Sequence, residues 1–383
     1  METQQQWSRR KVIATLAGVG TTLMVNPFLS WADDEVDPRI ARIVAKTIAV
    51  DTHNHIDVPL SGELPYPSID LAGDLKKSGL SAVCMTFAVD YQKLVNEGDG
   101  YNRFINGLNA MDAALKSNNI KRSLNLSDLQ ASHKKHKPTV IQSVEGGHFL
   151  EGKIERLEEA YKRGLRHLGL LHDNDASVPL GDIFTNPVKW GGLSPFGVEV
   201  IKECNRLGIL IDLAHCTNDA VNAALKVTTK PIIISHTGLD TQLGSNANMA
   251  KMMKPRLISK EQAKIVADAG GVIGVWTHLA DSPTEYAQNV RAMVDVVGID
   301  HVCIGTDTKL TPSYRPPSPN QNKNEKPKPR IGERTNEAWK DQKTGFYYTV
   351  VDAMLKTGFS EDEIVKFGGS NFCRIFGVAT ANK

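Results

Sequence analysis

The chain has 383 residues, of which 41% are hydrophobic and 23% are charged, a composition typical of a folded globular protein. Residues 1–32 hold three of the 45 basic side chains and one of the 43 acidic ones, so residues 33–383 are electrically balanced. A balanced chain excludes the electrostatic binding of nucleic acids or anionic membranes that a strongly basic protein shows. We therefore expect a small-molecule substrate.

The first 32 residues have the pattern of an export signal. Ser8-Arg9-Arg10-Lys11 precedes an apolar run over residues 12–25, and Ser30-Trp31-Ala32 ends the segment with small residues of the kind that a signal peptidase reads. The segment resembles a twin-arginine signal, which predicts export of the folded protein to the periplasm by the twin-arginine machinery. An uncleaved membrane anchor is the less favoured alternative, because the run is short and contains polar residues.

Eight short apolar runs alternate with amphipathic segments over the rest of the chain, which indicates repeated βα units. Two of the helical segments begin with a predicted capping box, at Ser259 with Gln262 and at Ser360 with Glu363. A helical pair over residues 346–376 would complete the outer layer. We predict one (β/α)8 TIM barrel over residues 33–383. Its strands are predicted at 47–51, 81–89, 139–145, 166–171, 209–215, 231–236, 271–277 and 302–307.

A proline-rich segment at 312–334 interrupts this rhythm directly after the eighth predicted strand. It contains six prolines and many Lys, Arg and Asn residues, so it is unsuited to a regular element. Two readings stay open for it: a rim or lid over the end of the barrel that carries active sites, or a solvated loop with no contact to ligand.

Active sites of such barrels lie at the carboxyl ends of the strands, and here those ends carry residues that bind metals. His53 and His55 lie two positions apart beyond the first apolar run, so their side chains share one face of a strand. Neutral imidazole is a good zinc ligand. The other predicted strand ends carry Glu145, His172, His215, His236, His278 and Asp307.

Counting ligands predicts two metal ions. His53, His55, Glu145, His215 and His236 are too many for one tetrahedral zinc that also keeps an open position for water. We predict that Glu145 bridges two Zn²⁺ ions, or two other divalent ions, with a shared hydroxide as the nucleophile. Asp307 is then the catalytic proton shuttle, and its alternative role is that of a metal ligand.

Taken in order, these residues resemble the membrane dipeptidase family, also called renal dipeptidases, which are zinc metallopeptidases on an amidohydrolase-type barrel. The resemblance covers nearly all of residues 33–383. It rests on the following segments: Asp51-x-His53-Asn54, Val144-Glu145-Gly146-Gly147-His148, Leu193-Ser194-Pro195-Phe196-Gly197, Asn205-Arg206-Leu207-Gly208 running into Ile211-Asp212-Leu213-Ala214-His215, Ser235-His236, and Gly305-Thr306-Asp307.

The resemblance implies a zinc-dependent dipeptidase with a dipeptide as substrate. A homodimer stays open as its assembly. The resemblance also implies that His53 and the residue two later bind one zinc, that Glu145 bridges, and that His215 and His236 bind the other. It further implies that His172 contacts the oxyanion of the scissile carbonyl and that Arg256 binds the carboxylate of the substrate.

Two positions depart from the family pattern. His55 stands where the family usually has aspartate, and Lys309 stands where it commonly has a second aspartate after Asp307. Both changes remove negative charge from the predicted site, which puts the dipeptide substrate in doubt. The alternatives are a hydrolase of lactones, N-acyl amino acids or phosphoesters on the same barrel, and a binding protein that has lost catalysis.

Overall fold

The computed structural model describes residues 36–91, 93–314, 339 and 342–381. The predicted export signal at 1–32 lies outside the described residues, as does the proline-rich segment from residue 315 to 334. The predictions for those two segments therefore stay predictions. Within the described part, no helix combines the length and apolar character that crossing a membrane requires.

Parallel strands form one sheet in the described residues, in the spatial order β8-β7-β6-β5-β4-β3-β2-β1-β9. The chain passes from β8 to β9 within three residues, and β9 pairs in parallel with β1. Together β8 and β9 occupy the eighth position and close the ring, which confirms the predicted TIM barrel. The strands are β1 Val50–His55, β2 Ala82–Thr86, β3 Thr139–Glu145, β4 Leu165–Gly169, β5 Leu210–Asp212, β6 Ile233–Thr237, β7 Val272–Val275, β8 Val302–Ile304 and β9 Thr308–Lys309.

Helices cover the outside of the sheet. The predicted capping box at Ser360 is complete, because Ser360 and Glu363 each accept the other's backbone N–H. At Ser259 only half of the box forms, since the Gln262 side chain donates to Asn222 instead. The helices are α1 Pro38–Lys46, α2 Leu71–Ser78, α3 Asp99–Ser117, α4 Leu126–Lys134, α5 Glu155–Lys162, α6 Pro195–Leu207, α7 Asn218–Val227, α8 Ala247–Met253, α9 Lys260–Asp268, α10 Pro283–Val297, α11 Phe346–Lys356, α12 Glu361–Val365 and α13 Asn371–Thr380.

The predicted ends of several strands were wrong by two or three residues. The chain leaves the sheet after Gly169, Asp212 and Val275, earlier than the apolar runs suggested. His215 and Asp307 then take left-handed backbone conformations, with φ of 65° and 54°. Such a conformation ends a strand and turns the chain sharply. The predicted site residues therefore lie partly on tight turns just beyond the strands.

The amino-terminal end of the barrel is closed by helix α13. Phe372, Ile375 and Phe376 of this helix pack with the first residues of the strands, among them Val50 of β1 and Val272 of β7. These side chains are fully buried. Because this end is filled with apolar side chains, the opposite end is left to carry polar chemistry.

Close packing inside the barrel gives a stability prediction at Gly305. A methyl group there would lie 1.7 Å from the carbonyl oxygen of Ser235, which already accepts a hydrogen bond from Thr52. We expect Gly305→Ala to lower the free energy of unfolding by about 3 kcal/mol or to prevent folding. Gly270→Ala is the control, because no atom lies within 4 Å of an added Cβ and only the left-handed φ of 80° at this helix end opposes alanine, at roughly 1–2 kcal/mol. Equal losses in urea denaturation would contradict this account.

Candidate active site

Glu145, the last residue of β3, is buried at the centre of a ring of imidazoles. Its Oε1 lies 3.0 Å from His215 Nε2, 3.4 Å from His53 Nε2 and 3.7 Å from His236 Nε2. Its Oε2 lies 3.6 Å from His55 Nε2. All five residues predicted as metal ligands therefore converge, although they come from four different strands or strand ends.

Asp307 lies beside His53 and His55. Its Oδ1 is 3.3 Å from His55 Nε2 and 3.8 Å from His53 Nε2. Its other oxygen, Oδ2, accepts a hydrogen bond of 2.8 Å from His278 Nε2. One carboxylate oxygen thus faces the cluster while the other is held by His278.

His172 approaches the cluster from the turn after β4. Its Nε2 lies 3.2 Å from Glu145 Oε2, and its Nδ1 donates to Asp90 Oδ1 at 2.6 Å. Both residues are buried. Asp90 therefore fixes the orientation of the His172 ring and keeps Nε2 pointed toward the centre.

The spacing of the ligand atoms fits divalent metal ions. A tetrahedral zinc with bonds of 2.0–2.1 Å holds its ligand atoms about 3.3 Å apart. The Nε2 atoms of His53 and His55 are 3.2 Å apart, and those of His215 and His236 are 3.0 Å apart. Glu145 Oε2 is buried and accepts no hydrogen bond from any described residue. The cluster therefore has the donor atoms, the spacing and the unsatisfied carboxylate oxygen of a metal site.

Three of the five candidate ligands favour the charge state that metal binding requires. His55 does not, because burial lowers its pKa but the hydrogen bond to Asp307, together with nearby carboxylate charges, outweighs burial and raises it. Burial raises the pKa of the Glu145 carboxyl, but the imidazoles of His172 and His53 outweigh it and hold that pKa well below its usual range. Burial lowers the pKa of His53 and of His236. An ionised carboxylate and neutral imidazoles are the forms that bind zinc.

Asp173 links one of these histidines to Arg256. Its Oδ1 accepts from His215 Nδ1 at 3.0 Å, and its Oδ2 accepts from Arg256 Nη2 at 2.6 Å. Burial lowers the pKa of His215, but hydrogen bonds to Asp173 and Glu145 outweigh it and raise that pKa to about 10. Metal binding would release this proton. Arg256 lies away from the ligands, on the wall of the cavity in front of them.

A cavity of about 770 Å³ opens in front of the cluster. This volume is in the range of sites for small organic ligands. Glu145, His55, His172, His215 and Asp307 line its floor. Its walls include both acidic and basic side chains: Asp57, Glu63, Asp99, Asp173, Arg103, Arg256 and Lys309.

Comparison with known proteins agrees with this geometry. The family model for membrane dipeptidases, peptidase family M19, matches residues 38–313 of the chain. The chain belongs to the membrane dipeptidase family. The converging candidate metal ligands all lie within the residues that this family model matches.

A curated relative matches part of the chain in sequence. An uncharacterized dipeptidase of Schizosaccharomyces pombe is 29% identical over 205 residues, which are 50% of this chain and 47% of that protein. The chain thus spans about half the length of this curated relative.

Solved structures match over more of the chain. An amidohydrolase from Pseudomonas aeruginosa superposes with a TM-score of 0.69 at 21% identity, over 89% of this chain and 98% of that one. The probable dipeptidase PvdM of the same organism gives a TM-score of 0.69 at 17% identity, over 90% and 98%. A metallopeptidase from Rhodobacter sphaeroides, liganded with a phosphinate mimic of L-Ala-D-Ala, gives 0.63 at 15% identity, over 87% and 100%. At these identities the likeness establishes the shared fold.

In this membrane dipeptidase family member, Asp51 and Asn54 of the segment Asp51-x-His53-Asn54 have a structural role that the sequence analysis missed. Asp51 Oδ1 accepts the backbone N–H of Thr306 at 3.0 Å, and Asn54 Oδ1 accepts that of Leu310 at 2.8 Å. Both therefore bind the turn that carries Asp307. Buried polar residues beside His53 in an apolar strand were the signal that could have revealed this role.

Asp212 and Ser235 form a second support that was missed. Asp212 Oδ2 accepts from Ser235 Oγ at 2.6 Å, and Ser235 Oγ lies 2.9 Å from His236 Nδ1 and 3.3 Å from His53 Nδ1. This contact orients one histidine of each pair. The signal was the single carboxylate inside the apolar run at residues 209–214.

Proposed function

We propose that the protein is a dipeptidase that depends on two zinc ions and hydrolyses the amide bond of small dipeptides. One observation carries the proposal. Two pairs of histidines that both adjoin Glu145, His53 with His55 and His215 with His236, place their Nε2 atoms 3.2 Å and 3.0 Å apart within each pair. This arrangement suits two ions that share one carboxylate, at the floor of a cavity large enough for a dipeptide.

His53 and His55 would hold one ion and His215 and His236 the other, with Glu145 between them. Zinc bound in this way polarises the carbonyl of an amide and lowers the pKa of a water molecule. The contribution of the protein is to fix the ligands, since Ser235 and Asp173 hold the remaining ring nitrogens of three histidines.

Asp307 and His172 would carry out the proton and charge transfers. Asp307 Oδ1 faces the floor of the cavity and can take a proton from the attacking water and pass it to the nitrogen of the leaving amine. His172 Nε2 points toward the same floor and can stabilise the negative charge that develops on the carbonyl oxygen.

Arg256 would bind the carboxylate of the dipeptide through the N–H donors that remain beside its hydrogen bonds to Asp173 and to the Met252 carbonyl, since a planar guanidinium carries five. We expect Arg256→Met to raise KM about 30-fold for free dipeptides and to leave KM for dipeptide amides nearly unchanged, since the amides lack the carboxylate. Steady-state kinetics on both substrates measures this. Arg206→Met, on the exposed face of α6, is the matched control. An equal effect on both substrates would remove Arg256 from this role.

A substrate panel with metal analysis tests the proposed function. The zinc-loaded protein should contain two equivalents of metal and hydrolyse L,L or L,D dipeptides, and it should leave lactones and phosphotriesters untouched. Hydrolysis of only the lactones or phosphotriesters would assign it to another reaction of the same barrel. Absence of both metal and hydrolysis would make it a binding protein.

A further inference from the structure

An ion pair lies on the cavity wall beside His55. Lys309 Nζ donates to Asp57 Oδ2, and each of the two side chains is only 15% exposed. Lys309 is the direct partner of His55 in the β1–β9 ladder, and all three residues line the cavity. The pair is therefore part of the wall nearest to the first pair of histidines.

This wall faces the acyl half of a bound substrate, which in a dipeptide carries the N-terminal ammonium group. That orientation rests on the proposed function. Arg256 and Asp173 adjoin His215, which follows β5. In the ring of strands β5 lies opposite β1, which carries His55. A substrate with its carboxylate at Arg256 and its scissile amide over Glu145 therefore extends its other half toward Lys309.

The two charges of the Lys309–Asp57 pair balance each other, so the pair gives a free ammonium group no net attraction. Asp57, which could otherwise attract an ammonium group, is already neutralised by Lys309. A second ammonium group brought next to Lys309 would be repelled. An uncharged acyl group meets neither penalty.

We propose that the Lys309–Asp57 pair extends the substrate class of this site from free dipeptides to N-acyl amino acids, whose acyl half is uncharged. In the reaction, water adds its oxygen to the acyl carbon and the carbon–nitrogen bond breaks. The leaving nitrogen takes a proton, which gives a carboxylic acid and a free amino acid. The chemistry is the same hydrolysis as for a dipeptide, and only the charge of the acyl half differs.

Glycyl-alanine and N-acetyl-alanine test this proposal, because they differ only by one ammonium group. The wild-type protein should hydrolyse both. Lys309→Met exposes the Asp57 charge and should shift the ratio of kcat/KM about tenfold toward glycyl-alanine. Asp57→Asn leaves the Lys309 charge and should shift the ratio about tenfold toward N-acetyl-alanine. Comparing ratios cancels the different intrinsic reactivity of the two amides.

The controls separate charge from structure. The double variant Lys309→Met with Asp57→Asn removes both charges and should return the ratio to within about twofold of wild type. Lys356→Met breaks a matched, exposed Lys–Asp pair on α11 and should leave the ratio unchanged. If one single variant fails to fold, the opposite shift in the other still tests the proposal.

Three outcomes would overturn the proposal: no hydrolysis of N-acetyl-alanine by the wild-type protein, an unchanged ratio in the folded single variants, or shifts of both in the same direction. Each of these leaves hydrolysis of glycyl-alanine intact. Failure of the metal-loaded wild type on both substrates would instead overturn the proposed amide hydrolysis, so the two failures are distinguishable.

Discussion

Glu145→Gln is expected to lower kcat/KM for dipeptides by about a thousandfold or more and to reduce bound zinc from about two equivalents to one or none. The carboxylate lies within 3.0–3.7 Å of the Nε2 atoms of His215, His53 and His236. Glutamine keeps the shape of the side chain but removes its charge and turns one oxygen into an amide nitrogen, which cannot bind a metal ion. Elemental analysis and steady-state kinetics on the same sample measure both effects.

The control for this substitution is Glu158→Gln, on the exposed face of α5. It makes the same chemical change away from the cavity and should leave metal content and activity at wild-type values. Thermal unfolding of both variants checks that the fold is intact. A Glu145→Gln protein that kept both equivalents of zinc and full activity would show that the two metal positions do not share this carboxylate.

The convergence of the candidate ligands could be predicted from the sequence because their positions follow from a simple rule. Side chains at the carboxyl ends of parallel strands meet at one end of a barrel, whichever strands carry them. Five residues of metal-binding type at such ends were therefore expected to converge, and they do so around Glu145. The rule needs only an approximate location for each strand end. Errors of two or three residues in the predicted strand bounds therefore did not change the expected convergence.

The residues that support the ligands could not be predicted in the same way. Asp90 holds His172 across 82 positions of sequence, and Asp173 holds His215 across 42. Each carboxylate lies on a turn, where side-chain direction depends on backbone angles that no periodic pattern reports. The left-handed backbone conformations of His215 and Asp307 could not be predicted from a periodic pattern either. The sequence thus predicted that the candidate ligands converge but not the contacts that orient them.

Lys309 departs from the family pattern, and the structure shows what this residue contacts. The sequence indicated that Lys309 lies beside the site and rated Asp57 as a minor candidate for the metal cluster. In the structure Asp57 contributes to the cavity wall and pairs with Lys309. The lysine therefore does not simply add a positive charge, because it also neutralises the nearest carboxylate.

Asp307→Asn should lower kcat for dipeptides by about a thousandfold while KM and bound zinc stay near wild-type values. Asparagine preserves the shape of the side chain and an oxygen that can face His55, but it cannot accept and release a proton. Both roles left open for Asp307 fit its position, since Oδ1 lies 3.3 Å from His55 Nε2 and Oδ2 accepts from His278. The balance between kcat and metal content therefore decides between them.

Three measurements on one preparation make that decision: kcat, KM and zinc content, with Asp295→Asn on the exposed face of α10 as the matched control. Loss of zinc in parallel with activity would make Asp307 a metal ligand. Full activity with full zinc would exclude it from catalysis and would leave His278 and His172 as the remaining proton carriers on the cavity floor. A fall in kcat alone identifies the proton shuttle, because a group that acts only on the travelling proton contributes nothing to ground-state binding of metal or substrate.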